Sequence, residues 1–235
     1  MTGLDRFSLT LGGRRVLHDI TLRPERGAML ALCGPNGAGK TSILRALAGL
    51  VSGAASHASG GMVGAPSPDP RRVAYLPQNA HATWALTVDQ VAALGRIPHG
   101  DRAAAPVESA LQRCGIAALR NARIDRISGG EARRAMLARV FATEPEMFLL
   151  DEPTADLDPA ACHAILRLLR ETAEAGAAVV VVLHAVELAA EYAHRVVLVD
   201  RGRIVADRPA ASVLKEAATM FAMRAGVGPR LLPCE

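Results

Sequence analysis

The run Gly34-Pro35-Asn36-Gly37-Ala38-Gly39-Lys40-Thr41-Ser42 carries the most specific chemistry in the chain. It fits GxxxxGK[ST] at every fixed position and joins an apolar strand-like run, Ala28 to Cys33, to a stretch with helical spacing of Ile43, Leu44, Leu47 and Leu50. Glycines let successive N–H groups turn inward around a phosphate, and a helix starting at Lys40 aims its positive end at the same point. Lys40 can then reach the β- and γ-phosphates, and the Thr41 hydroxyl can hold Mg2+. The expected ligand of this loop is a nucleotide's phosphates with a magnesium ion.

A second set of groups must complete such a site. Met147 to Leu150 is a short apolar strand that delivers two adjacent carboxylates, Asp151 and Glu152. Successive strand residues point to opposite sides, so the two acids can do different jobs as the strand ends. Asp151 suits the magnesium shell and Glu152 suits polarising an attacking water. His184 ends the Val-rich run Ala177 to Leu183, where it can donate a hydrogen bond to a γ-phosphate. Gln78 follows the strand-like run Arg72 to Leu76 and is placed to touch magnesium or the lytic water. Taken singly, each of the last two would be an ordinary capping or surface residue.

These groups need a scaffold that brings strand ends together. Apolar strands alternate with helices along most of the chain, which implies a mainly parallel sheet covered on both faces. Phe7 to Leu22, interrupted by Gly12-Gly13, reads as an N-terminal hairpin. Val51 to Pro70 is rich in Gly, Ala, Ser and Pro and reads as a loop with little regular structure. From about 85 to 142 the pattern is helical, so this stretch reads as a helical subdomain inserted within one domain spanning 1–235. Asp158-Pro159 starts a helix as N-cap and first-turn proline, and Gly176 stops it. A hairpin follows, from Val196 to Ala206.

Ile127-Ser128-Gly129-Gly130-Glu131 resembles the LSGGE signature of ABC ATPases. The phosphate loop, Tyr75-Leu76-Pro77-Gln78, this signature, Phe148 to Thr154, Ala155 to Asp158 and His184 all stand in that family's order, so the resemblance covers almost the whole chain. It implies an α/β fold of the P-loop NTPase (RecA-like) type, with a mainly parallel sheet core, an N-terminal antiparallel β subdomain and the inserted helical subdomain. It also implies ATP hydrolysis in a head-to-tail homodimer. Ser128, Gly129 and Gly130 would cap the γ-phosphate held by the partner's phosphate loop, and Asp158 would cross the interface. Two positions depart from the pattern: Ile127 replaces Leu, and Leu11 stands where the family stacks an aromatic ring on adenine. With Phe7 four residues too early to substitute, ATP and GTP are expected to be used at similar rates.

The stretch Val91 to His99 (VAALGRIPH) is similar to one in importers of iron-siderophores, haem and cobalamin. The branch so marked works with separate transmembrane permease subunits and, indirectly, a substrate-binding protein. The expected place is the cytoplasmic side of the inner membrane, held there by the permease. The permease would meet a groove bordered by Gln78 and the helical insertion. An ATPase for another small-substrate importer, or for an exporter, is the alternative.

Composition narrows the field further. Lys and Arg number 27 against 23 Asp and Glu, a net charge of +4, with no block of like charge, so no nucleic-acid footprint is expected. A soluble ABC ATPase acting on nucleic acid or ribosomes would ordinarily need two cassettes or long coiled coils. A small-molecule kinase would have no use for ISGGE. Cys33, Cys114, Cys162 and Cys234 lie far apart, without metal-ligand spacing, which points to a reducing compartment and to Cys33 as a small core residue. The N-terminus lacks an apolar leader, and the densest apolar run falls well short of the about 20 residues that span a bilayer. No regulatory domain is expected after about residue 215.

Overall fold

The computed structural model describes residues 3–51, 56–63, 68–78 and 85–213. Cys234 and the stretch after 215 lie outside them.

The N-terminal hairpin consists of β1 (Gly3–Leu11) and β2 (Arg14–Leu22). Next come β3 (Met29–Cys33) and α1 (Lys40–Leu47), the strand and helix that flank the phosphate loop. The stretch read from composition as a loop contains a strand, β4 (Ser56–Val63), which pairs antiparallel with β1 and completes a small sheet of order β2-β1-β4. Its sequence, SHASGGMV, has no apolar alternation to betray it. Main-chain hydrogen bonds to the open edge of β1 hold it, and these carry no signature in residue type.

The central sheet has six strands in the order β5-β6-β7-β3-β8-β9. These are β5 (Val73–Leu76), β6 (Met147–Asp151), β7 (Ala178–Val182), β8 (Arg195–Asp200) and β9 (Arg203–Pro209). All neighbours run parallel except β9, which returns antiparallel along β8. β3, β6 and β7 are buried along their whole length, as strands covered on both faces must be. Alternation splits them between two cores. Met29, Ala31, Phe148, Leu150, Val179 and Val181 face the main helical layer. Leu30, Leu32, Leu149, Val180 and Val182 face α1 and the small sheet.

Between β5 and β6 the chain makes the helical insertion: α2 (Val88–Ala93), a 3-10 turn over Leu94–His99, α3 (Ala104–Arg113) and α4 (Gly129–Ala142). After β6, α5 (Pro159–Glu174) begins as expected, with the Asp158 carboxylate accepting from Ala161 N–H at 3.0 Å. The last α-helix among the described residues is α6 (Val186–Tyr192). Among the described residues no helix is long and apolar enough to cross a membrane.

The GRIPH segment has a structural job. A Cβ on Gly95 would lie 2.1 Å from the carbonyl oxygen of Arg139, so only glycine lets the turn approach α4 this closely. Arg96 is buried; it donates to the Ala142 carbonyl at 3.0 Å and pairs with Asp101 and Glu144. His99 Nε2 bonds the Thr143 carbonyl at 2.9 Å. Together they satisfy the orphan carbonyls at the C-terminal end of α4 with basic groups, where the helix dipole favours them.

Candidate active site

The C-terminal edges of β3, β5, β6 and β7 bring the phosphate loop, Gln78, Asp151–Glu152 and His184 to one side of the parallel sheet. The loop is pinned from behind. Gly34 has φ 147, and a Cβ there would sit 2.0 Å from the Val199 carbonyl oxygen. Gly202 N–H donates to the Ala38 carbonyl at 2.8 Å, tying the loop to the β8–β9 turn.

Lys40 is almost fully buried, and its Nζ donates to the carbonyls of Gly34 (2.7 Å) and Pro35 (3.0 Å). Burial lowers its pKa, while the nearby Glu152 carboxylate partly restores it. The ammonium is thus curled into the loop mouth, held by weak acceptors that a phosphate can displace.

Asp151 has no solvent exposure, and neither carboxylate oxygen has a partner in full hydrogen-bond geometry. Burial pushes its carboxyl up; the adjacent Thr41 hydroxyl pulls the other way without cancelling it. A buried carboxylate without partners is costly, and a cation is the usual remedy. The pair Thr41 and Asp151 therefore fits a divalent ion with oxygen ligands such as Mg2+. Tyr75 shares the pocket: its buried hydroxyl lies near Asp151 and Arg45 without a hydrogen bond of full geometry, and burial raises its pKa.

Glu152 stands at the strand end in left-handed backbone, φ 50, a conformation that a non-glycine residue holds at a cost of about 1–3 kcal/mol. Its Oε1 lies 2.7 Å from His184 Nε2. Gln78 is exposed just past β5.

Arg133, which the sequence motifs do not single out, ties these pieces together. It is buried, and it donates to the carbonyl oxygens of Gln78 (3.1 Å), Asp151 (2.8 Å) and Glu152 (2.5 Å), with longer contacts to Pro77 and Pro153. Helical period was the available signal: Arg133 shares an α4 face with the buried Met136, Leu137 and Val140.

Ser128 is the N-cap of α4. Its hydroxyl accepts from Glu131 N–H, and the Glu131 carboxylate returns to Ser128 N–H at 2.8 Å, a complete capping box. Ser128 and Gly129 are exposed, and Gly130 packs on Leu157 beside Asp158. Within one chain this helix end meets none of the phosphate-loop groups. Cys33 is buried, with its thiol pushed up to about 12, so it is an inert core residue.

The family described as ABC transporter matches residues 17–155, more than half of the chain. The hemin import ATP-binding protein HmuV of Streptomyces coelicolor is 44% identical over 220 residues, covering 88% of this chain and 77% of its own length. The protein of the same name from Rhodococcus jostii is 40% identical over 221 residues, 90% and 76% of the two chains. The chain belongs to the ABC transporter family. It is an ATP-binding subunit that hydrolyses ATP. A solved ATP-binding subunit of an ABC transporter superposes with TM-score 0.77 at 25% identity, covering 95% of this chain and 94% of the other. The expected P-loop fold and the resemblance drawn from the ordered motifs both stand.

Proposed function

We propose that this ABC ATPase works as a head-to-tail homodimer, binding ATP with Mg2+ at each of two shared sites, to drive import of a metal chelate through a separate permease. The chelate would be of the iron-siderophore, haem or cobalamin type. Within each site the N–H groups of Asn36 to Ser42 cradle the triphosphate, and Lys40 leaves its loop carbonyls for the β- and γ-phosphates. Thr41, Asp151 and Gln78 would hold Mg2+, which when bound would neutralise developing phosphate charge. Glu152 accepts a hydrogen bond from the attacking water, and His184 donates to the γ-phosphate. The second copy supplies Ser128, Gly129 and Gly130 as the lid, and Asp158 meets its counterpart across the interface.

The observation that carries this reading is the position of the orphaned Asp151 carboxylate beside Thr41, at the same sheet edge as the Glu152–His184 pair. The two-copy arrangement is supported by the exposed Ser128 end, whose side-chain hydrogen bonds go to Glu131 and not to its own phosphate loop. Haem-class cargo is supported by the names of the close relatives and by the GRIPH segment. Beside that segment a cavity of about 610 Å³, lined by Leu86, Gln90, Leu94, Ile97 and Asp101, offers apolar surface to a permease, with Ile97 68% exposed. The complex would place the chain on the cytoplasmic side of the inner membrane, with a substrate-binding protein acting from the other side.

The test is reconstitution in vesicles with a permease that co-purifies with this chain. ATP-dependent uptake of haem or a ferric siderophore, lost in Lys40→Ala, is the expected result. Uptake of neither, with ATP turnover intact, would remove the metal-chelate assignment.

A further inference from the structure

Among the described side chains of β1 no exposed aromatic ring is available to support a nucleotide base: Leu11 is 37% exposed at its end, and Phe7 is buried in the core. Gly12 and Gly13 both have positive φ, 54 and 78, which makes a type I′ turn and leaves Leu11 and Arg14 as the closing cross-strand pair. Such partners project to the same side of a ribbon. The register then shifts between Arg15 and Leu17, so simple alternation does not carry past Arg15.

Arg14, Arg15, Val16 and His18 of the hairpin form one wall of a cavity of about 560 Å³, which Asn36 and Gly37 of the phosphate loop also line. The cavity is therefore continuous with the loop that grips the triphosphate. Arg15, the other hairpin arginine, is committed to the Ser8 hydroxyl at 2.6 Å. Arg14 is exposed and makes no ion pair among the described residues.

We propose that Arg14 is the base platform of this ATPase, its guanidinium plane stacking on the purine while Val16 lines the apolar side of the same cavity. A guanidinium is planar, weakly hydrated and suited to lie against a π-face. It reads the face of the base and no edge, so adenine and guanine are held alike. The proposal rests on the phosphate-loop reading above and adds a specificity-determining residue to it.

The test compares the dissociation constants of ATP, GTP and inorganic tripolyphosphate, each with Mg2+, for the wild type and for Arg14→Ala, Arg14→Lys and the double variant Arg14→Ala/Leu11→Tyr. Stacking predicts that Arg14→Ala weakens ATP and GTP alike by roughly 10-fold and leaves tripolyphosphate unchanged. Arg14→Lys, which keeps the charge without the plane, should lose nearly as much, and the tyrosine should restore binding. A Lys variant equal to wild type, or tripolyphosphate weakened in step with ATP, would show that Arg14 serves only as a charge. Unchanged ATP binding in Arg14→Ala would overturn the proposal outright. Lys40→Ala separates the two layers: if it keeps tripolyphosphate, the phosphate-loop reading itself fails, whatever Arg14 does.

Discussion

His184 Nε2 lies 2.7 Å from Glu152 Oε1. The imidazole therefore restrains the carboxylate in the nucleotide-free chain, at the ends of two adjacent parallel strands. Phosphoryl transfer to water needs a correctly aimed acceptor, and this bond holds the Glu152 carboxylate in place until His184 turns from it to a γ-phosphate, as the proposed mechanism requires. Glu152→Gln should leave ATP affinity intact and lower kcat by about 10²–10⁴-fold, the usual worth of a general base. His184→Ala should also lower kcat with little change in ATP affinity. Single-turnover assays beside equilibrium binding separate the two effects; undiminished turnover in Glu152→Gln removes that residue from the mechanism.

The Arg133 guanidinium fixes the main chain that presents these acids. Arg133→Met would leave the carbonyls of Asp151, Glu152 and Gln78 without their donor in a dry site, costing about 3 kcal/mol of stability. Arg133→Lys keeps the charge but cannot span three carbonyls. That variant should bind ATP normally and turn over at least about 10-fold more slowly. Normal kcat in the Lys variant would show that the bonds serve folding alone.

Asp151 gives a prediction of the opposite sign for stability. Its carboxyl is raised by burial, so its contribution to folding is fully present below the ordinary carboxylate range and is lost as pH rises through the raised value. At neutral pH it is a liability. Asp151→Asn should raise the melting temperature of the nucleotide-free protein at pH 7, by about 1–3 kcal/mol of stability, and narrow the gap as pH falls. Mg2+ should stabilise the wild type with ATP and lose that effect in the variant. A lower melting temperature at pH 7 would mean that the carboxylate has a partner of its own.

The Arg96 and His99 contacts to the end of α4 predict a long-range consequence. Arg96→Ala should cost about 2–3 kcal/mol through lost charge-assisted hydrogen bonds. Amide exchange should accelerate over Arg139–Thr143 and spare the central sheet. Uniform acceleration would show that the segment contributes to global stability rather than locally to the signature helix.

Much of this architecture is written in residue type. Val-rich strands, the glycine loop and the Asp158 cap are local signals, and each falls where its chemistry demands. Three features were not legible for the same physical reason: their determinants are main-chain partners distant in sequence. β4 is held by the backbone of β1, Arg133 by carbonyls of two other strand ends, and the GRIPH segment by the terminal carbonyls of α4. His184 was legible as a strand-end donor, but its pairing with Glu152 depends on the neighbouring order of β6 and β7, which no stretch of sequence records.

The central claim is that two copies enclose ATP, each closing the other's phosphate loop with its Ser128 helix end. Sedimentation of Glu152→Gln with and without ATP tests it most directly, with Ser128→Arg added in the same background. The account predicts dimers only with ATP, and monomers that still bind ATP once Ser128 is changed. ATP-driven dimers that persist with Arg at position 128 would contradict it.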